Sequence, residues 1–133
     1  MTNEPAHAFP LADFLEMVTG VTGPGVAMAR LNAGPKHLNP HGTVHGAVLF
    51  AMADTAMGAA TMNVLESKQL CASIDVQLRF CKPAFGGELV ATTTVVQQGK
   101  RVIQLQGDIR DSGGSLIALA SGSFAVIDRT REG

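Results

Sequence analysis

Residues 44–65, which read VHGAVLFAMADTAMGAATMNVL, decide the fold. The stretch is rich in alanine and methionine and is apolar on every side, a pattern typical of a helix buried all round. A membrane span is the competing interpretation and fits poorly. Only 17 residues run from Gly46 to Met62, an aspartate lies near their middle, and no second span follows. We therefore expect one long central helix with a sheet wrapped around it.

The chain after this helix alternates with a period of two, which predicts β-strands. Within residues 73–80 the apolar side chains share one face and the polar ones, among them Ser73 and Asp75, share the other. Further strands are predicted over residues 88–97, 101–111 and 115–128. The short turns between them are typical of antiparallel neighbours.

The chain before the helix is less regular. Residues 1–10 are predicted to be a loose lead-in and residues 129–133 a tail, which leaves one domain over residues 11–128. A short helix is predicted from Leu11, ending at Gly20, followed by a strand over residues 26–31 and an ordered loop to residue 43. The predicted order is α–β–α–β–β–β–β, an α+β fold with an antiparallel sheet around the long helix.

Composition excludes several classes of protein. Of 133 residues 46% are apolar and 16% charged, against about 25% charged in typical domains, so the chain is not disordered. The low charged fraction also indicates a surface covered by another subunit. A net charge of −1 lacks the basic footprint of nucleic-acid binding. The N-terminal residues do not resemble a signal peptide, which favours the cytoplasm.

The two cysteines, Cys71 and Cys81, bracket one predicted strand. Ten residues of extended chain separate them by about 33 Å, which is far beyond the reach of a disulfide. Both are therefore predicted to be reduced packing residues.

Asp54 is the most informative polar residue, because its helical neighbours Phe50, Ala51, Met57 and Gly58 carry no charge. Burying an unpaired carboxylate is costly, and chains seldom keep one without a reason. Asp54 is either a reactive group or a structural one that caps a backbone group or meets a distant arginine.

The loop of residues 39–46, NPHGTVHG, runs directly into the long helix. A glycine at a helix start lets another molecule approach the free backbone N–H groups, where the helix dipole favours negative charge. This arrangement stabilises an oxyanion in enzymes. An ordinary capped loop produces the same pattern, so both interpretations remain open.

Residues 39–58, NPHGTVHGAVLFAMADTAMG, resemble the central motif of the PaaI-like, phenylacetic-acid-degradation-type hotdog thioesterases. That motif reads approximately H/N-P-x-G-x-x-H-G-G-x-x-x-x-L-A-D-x-A-x-G. The stretches SIDVQLRFCKPAFGGEL, QGKR and ASGSF resemble the later strands of the family. The resemblance covers roughly residues 10–128. It implies a hotdog fold, hydrolysis of an aryl, phenylacetyl-type or short-to-medium acyl-CoA, and sites formed between paired subunits.

The same resemblance assigns roles to single residues. It places the catalytic acid on Asp54, acting as general base or as nucleophile through a transient anhydride, and the polarising backbone N–H on Gly46. It also implies roles for Asn39 at the start of the motif and for Ser73, a hydroxyl that helps to place the attacking water. The second glycine of H-G-G is Ala47 here, and its methyl group narrows the approach to the helix start.

Histidines 37, 41 and 45 recur at a spacing that suits metal ligands on a helix, but Pro40 and Gly42 break any helix there. No metal is therefore predicted, and no cofactor beyond the coenzyme A that the substrate carries. His45 is a candidate substrate contact.

Lys82, Lys100 and Arg101 are candidate contacts for the CoA phosphates, although solvated strand ends have the same composition. A homodimer or a dimer-of-dimers tetramer is expected, with no nucleic acid and no membrane as partner. Two other functions stay open, because fold alone does not decide function. One is a non-catalytic acyl-CoA-binding protein. The other is a hydroxyacyl or enoyl dehydratase, with His45 in proton transfer.

Overall fold

The computed structural model describes residues 9–129; most of the predicted lead-in and tail lies outside the described residues. The elements are α1 (Pro10–Leu15), β1 (Val18–Gly23), β2 (Val26–Ala33), a 3-10 turn (Pro35–His37), α2 (Gly46–Val64), β3 (Gln69–Phe80), β4 (Gly87–Gln98), β5 (Val102–Asp111) and β6 (Leu116–Asp128). The strands form one antiparallel sheet in the order β1-β2-β4-β5-β6-β3. The predicted α+β hotdog architecture is confirmed.

The long helix α2 packs one face on the sheet, where Met52, Ala56, Met57 and Ala60 are fully buried. Its other face is open in the single chain, with Phe50 exposed. The prediction of a helix buried all round is therefore wrong for one chain, because the sheet covers only one side. By length and composition α2 is also able to cross a membrane. A core helix passes the same test, and α2 lies against the sheet as a core helix does.

The start of the chain differs from the prediction. Helix α1 ends at Leu15 because Glu16 adopts a left-handed conformation with φ of 55°. The chain then forms β1, which pairs with β2. The prediction of a helix that continues to Gly20 is therefore wrong, and this strand was not predicted. Two glycines weaken the strand pattern of Val18–Gly23, and glutamate seldom marks a left-handed helix end.

A bulge changes the faces of β3. Ser73 lies opposite Phe124 of β6, and Asp75 lies opposite Ser123, so that Ile74 between them has no partner. Phe124 is buried and faces α2, since a Cβ built on Gly58 of the helix would lie 3.8 Å from its ring. Opposed residues of antiparallel strands share a face. Ser73 therefore faces α2, and the prediction that it shares the outer face with Asp75 is wrong.

The two cysteines are free thiols, as predicted. Cys71 is half-buried against α2 and donates a long hydrogen bond of 3.9 Å to the Gly58 carbonyl. Cys81 is exposed, because it lies one residue beyond the end of β3. The prediction that Cys81 packs in the interior is wrong.

Candidate active site

The N-terminus of α2 opens to the surface at Gly46. The N–H of Gly46 has no hydrogen-bond partner among residues 9–129. His45 precedes the helix in an extended conformation, and its Nδ1 accepts the N–H of Ala47 at 2.9 Å. This cap occupies the N–H of Ala47 and leaves that of Gly46 available at the positive end of the helix dipole.

The loop before α2 is held by its own hydrogen bonds. The Asn39 Oδ1 accepts the N–H groups of His41 and Thr43, and the Asn39 Nδ2 donates to the Thr43 Oγ1 at 2.8 Å. Asn39 lies in the expected place, beside Gly46, but three of its hydrogen bonds go to this loop. In this chain it fixes the approach to the helix start.

A cleft of about 460 Å³ lies at the start of α2. Gly46 and Asn39, both expected from the sequence, contribute to it together with Lys82. Its other main walls, which are Leu49, Phe80 and Pro83, were not predicted from the sequence. Phe80 touches Gly46, since a Cβ at position 46 would lie 3.1 Å from the ring Cζ. The alternation of β3 placed Phe80 on a face but did not indicate which part of the helix that face meets.

Asp54 lies two turns further along α2 and is half-buried. Its Oδ1 and the Thr93 Oγ1 of β4 are buried without a hydrogen-bond partner among the described residues. Burial raises the pKa of the Asp54 carboxyl above its usual value. Burial, followed by the Asp54 charge, likewise raises the pKa of the Cys71 thiol. Within residues 9–129, Asp54 is therefore a carboxyl that no structural partner neutralises.

The bulge of β3 sets Ser73 on the face that carries Cys71, and that face lies against the Gly58 turn of α2. Gly58 lies one helical turn beyond Asp54 on the same side of α2, so its contact with Cys71 brings the inner face of β3 near Asp54. Ser73 is thus on the side of the sheet where Asp54 lies, two residues from Cys71.

The three candidate cations lie toward opposite ends of the sheet. Lys82 lines the cleft and donates a hydrogen bond of 3.2 Å to the Ser115 Oγ. Lys100 and Arg101 follow β4 at the other end of the sheet, where Gln98 bonds the carbonyl of Val64 at the end of α2. The helix between these ends is about 28 Å long. One chain therefore does not bring Lys100 and Arg101 to the Gly46 cleft.

Two of the three histidines in this region, His37 and His45, form hydrogen bonds with backbone groups. His37 is buried, with its Nδ1 accepting the N–H of Gly34 at 2.9 Å and its Nε2 2.8 Å from the carbonyl of Leu15. His41 lies in the exposed loop and His45 caps α2. Within residues 9–129 the structure contains no group of three His, Cys, Asp or Glu side chains able to hold a metal ion.

Comparison with known proteins gives a consistent result. Residues 41–118 match the sequence profile of the thioesterase superfamily. A relative from Archaeoglobus fulgidus, provisionally named an esterase, is 31% identical over 100 residues. The match covers 74% of this chain and 63% of the relative, so the chain spans less than two thirds of that protein's length.

Two solved structures are similar in both fold and sequence. A Bacillus halodurans protein, solved with CoA, is 30% identical with a TM-score of 0.82, over 91% of this chain and 78% of that one. The E. coli PaaI protein, from the phenylacetic acid degradation operon, is 27% identical with a TM-score of 0.81, over 88% and 83%. The profile match covers more than half of the sequence, and it includes both Gly46 and Asp54. The chain belongs to the thioesterase superfamily, and within it to the PaaI-like hotdog proteins.

Proposed function

We propose that this chain hydrolyses acyl-CoA thioesters to the free acid and coenzyme A. The observation that carries the proposal is the N–H of Gly46, which is unpartnered among the described residues and lies at the start of α2 beside an open cleft. A thioester carbonyl that accepts this N–H is polarised, and the helix dipole stabilises the negative charge that develops on its oxygen.

Asp54 supplies the second group of the reaction. As general base its carboxylate takes a proton from water while the water oxygen bonds to the carbonyl carbon. The C–S bond then breaks, and the proton passes to the CoA thiolate. As nucleophile the carboxylate attacks the carbonyl itself, the C–S bond breaks and CoA leaves as the thiolate. Water then hydrolyses the resulting anhydride, which regenerates the carboxylate and provides the proton that the thiolate takes up. The pKa raised by burial makes Asp54 a better proton acceptor near neutral pH, and both routes remain part of the proposal.

A second copy of the chain completes the site. Gly46 and Asp54 are eight residues apart, about 12 Å along the helix, which is too far for one thioester carbon to lie beside both groups. The strand β3 ends the sheet order and leaves a twelve-residue edge. Two copies related by a two-fold axis, paired along this edge, would run their helices antiparallel and place Asp54 of each beside Gly46 of the other.

The same pairing bears on the candidate cations. Antiparallel pairing of β3 brings the end of the partner sheet that carries Lys100 and Arg101 toward the cleft with Lys82. We include these side chains, with His45, as contacts for the substrate, and the CoA phosphates as their target. The dimer, or a tetramer made of two such dimers, is the assembly in which the proposal holds.

The solved structures support coenzyme A as the carrier, because the Bacillus halodurans relative was solved with CoA. The E. coli relative comes from a phenylacetic acid operon, so phenylacetyl-type and other aryl groups are proposed together with short and medium acyl chains. We further propose that the reaction takes place in the cytoplasm and requires no additional cofactor.

The test is thiol release from phenylacetyl-, benzoyl-, butyryl- and octanoyl-CoA by the wild type and by Asp54→Asn. We expect Asp54→Asn to lower kcat at least about 100-fold with the fold retained, since removal of a catalytic base typically has this effect. Glu66→Gln, an exposed carboxyl just beyond α2, is the matched control and should keep full turnover. The exposed thiol of Cys81 reacts with the reagent that detects released CoA. The assay therefore needs blanks that contain enzyme but no substrate.

Wild-type protein that binds these thioesters without releasing CoA would contradict hydrolysis and favour a binding protein. Turnover that survives in Asp54→Asn would contradict the role of Asp54.

A further inference from the structure

The ring of Phe80 stands over the start of α2. Phe80 ends β3 opposite Ala118, on the face of the sheet that meets the helix. A Cβ built on Gly46 would lie 3.1 Å from the ring Cζ, and 3.4 Å and 3.8 Å from the two Cε atoms. The tip of the ring, rather than its face, therefore points at the glycine, and the face remains open.

In the single chain Phe80 is 62% exposed although it is a large apolar side chain in a cleft. The neighbouring walls Leu49 and Pro83 are also apolar, whereas Asn39 and Lys82 supply polar groups at the cleft. Pockets for small molecules have this composition, with apolar walls and few polar groups that orient the ligand. A ligand that packs on the open ring face removes apolar surface from water, which favours binding.

The ring tip lies against Gly46, the residue whose backbone N–H is available at the cleft. A carbonyl oxygen that accepts the Gly46 N–H lies about 2.9 Å from the nitrogen, so the carbonyl carbon and its substituents lie next to the ring tip. We propose that Phe80 is a specificity-determining residue that limits the bulk of the acyl carbon bonded to the thioester carbonyl. The proposal rests on the proposed function, since it requires the carbonyl to be at Gly46.

Two isomeric substrates isolate this effect. Butyryl-CoA and isobutyryl-CoA contain the same atoms, but only the second is branched at the carbon next to the carbonyl. The measured quantity is the ratio of kcat/KM for isobutyryl-CoA to that for butyryl-CoA. Phe80→Ala should raise this ratio about 10-fold and Phe80→Leu by less, because a single methyl group changes discrimination by about 10-fold or more in a closely fitting pocket.

Phe85→Ala is the matched control. Phe85 is a phenylalanine of similar exposure, 70%, five residues further along, and it does not contribute to the cleft formed by the described residues. Its substitution should leave the ratio unchanged. Thermal melts of each variant establish that the fold is retained, and the leucine variant keeps the test valid if the alanine variant does not fold.

Ketone analogues of the two substrates, in which a CH2 group separates the sulfur from the carbonyl, keep the carbonyl but cannot release CoA. The ratio of their dissociation constants, measured by calorimetry, reports the same discrimination without hydrolysis. Hydrolysis with unchanged ratios in both Phe80 variants would overturn the role of Phe80 and leave the proposed function intact. Wild-type protein without turnover, but with an analogue ratio that shifts in Phe80→Ala, would overturn hydrolysis and support selection by Phe80. Analogue ratios that also stay constant in the Phe80 variants would overturn selection by Phe80.

Discussion

The strands β3 and β4 have the same length and similar alternation, yet they differ in how they are covered. In β4, Leu89 and Ala91 are fully buried, because α2 and two neighbouring strands enclose them. In β3 no residue reaches this degree of burial, although its inner side chains also face the helix. The first strand lies within the core, and the second lies at an edge that one chain leaves open.

The two regions therefore contribute differently to stability and to activity. The β4 side holds the fold together through apolar packing. The Cys71 thiol and the exposed Phe80 ring lie on β3 itself, next to the open edge of the sheet. Substitutions on the β4 side should change the free energy of unfolding, and those on the β3 side should change turnover.

The largest effect is expected for Leu89→Ala in β4. Loss of a fully buried leucine side chain should lower the free energy of unfolding by about 3 kcal/mol, measured by urea denaturation. Leu70→Ala in β3 makes the same chemical change at a side chain that is 37% exposed, and should cost about 1 kcal/mol, since part of the side chain is already in water. Equal losses at the two positions would remove the distinction between the strands.

The second prediction concerns the open edge. Asp54→Asn and Gly46→Pro, each inactive alone, are unfolded and refolded together. In random dimers half are hybrids, and each hybrid has one intact site of two, so about a quarter of wild-type activity should return. The backbone at position 46 accepts proline, because it starts the helix and His45 before it is already extended, with φ of −64° and ψ of 138°. The added ring atoms must displace the tip of the exposed Phe80 side chain, which lies 3.1 Å from a Cβ at this position.

The control for this mixing is each variant refolded alone, which should stay inactive. If separately tagged hybrids are purified and remain as inactive as their parents, the site is not shared between subunits.

A smaller effect is expected for Ser73→Ala. Ser73 lies on the inner face of β3, on the side of Asp54, so loss of its hydroxyl should lower kcat roughly 10-fold through poorer placement of water, with KM little changed. Ser121→Ala on β6 removes an exposed hydroxyl and should have no effect. A rise in KM alone would make Ser73 a substrate contact instead.

The smallest effect is on stability. Burial raises the pKa of Asp54 above 3.8, so between 3.8 and the raised value the folded protein holds a proton that the unfolded chain has released. Stability is therefore lost as the pH rises through the raised pKa. Asp54→Asn avoids this cost and should raise Tm at pH 7 by about 2 °C. The difference should shrink as the pH falls toward 4.

Scanning fluorimetry from pH 7 to pH 4 measures this difference, with Glu66→Gln as a control that stays flat. A difference that grows at acid pH would contradict the sign.

Much of the fold was predictable because it depends on local periodicity. The apolar run of residues 44–65 marked α2, which forms as Gly46–Val64, and alternation marked β3 to β6. The strand β1 was missed because Glu16 ends α1 in a conformation that its residue type does not signal. The bulge at Ile74 escaped for a similar reason, since an extra residue changes the pairing without changing the apolar pattern.

The site was predictable only in part. Gly46 and Asn39 are close in sequence, so their proximity in the cleft follows from one loop. Phe80 is 34 residues from Gly46, and their contact depends on how β3 crosses the helix. The gap between Gly46 and Asp54 was visible from helix geometry alone, because helical rise is constant along the chain.

The bulge in β3 also bears on solubility. An exposed edge of twelve residues with apolar side chains such as Leu70 and Ile74 is a template on which further strands add without limit, as in fibres. An unpaired residue bends the strand and increases its local twist, so a long flat stack of such edges does not form. Removing Ile74 alone would restore strict alternation with Ser73 and Val76 still facing the helix, and it would also produce a straighter, more aggregation-prone edge. The extra residue therefore disfavours open-ended stacking of strands on this edge.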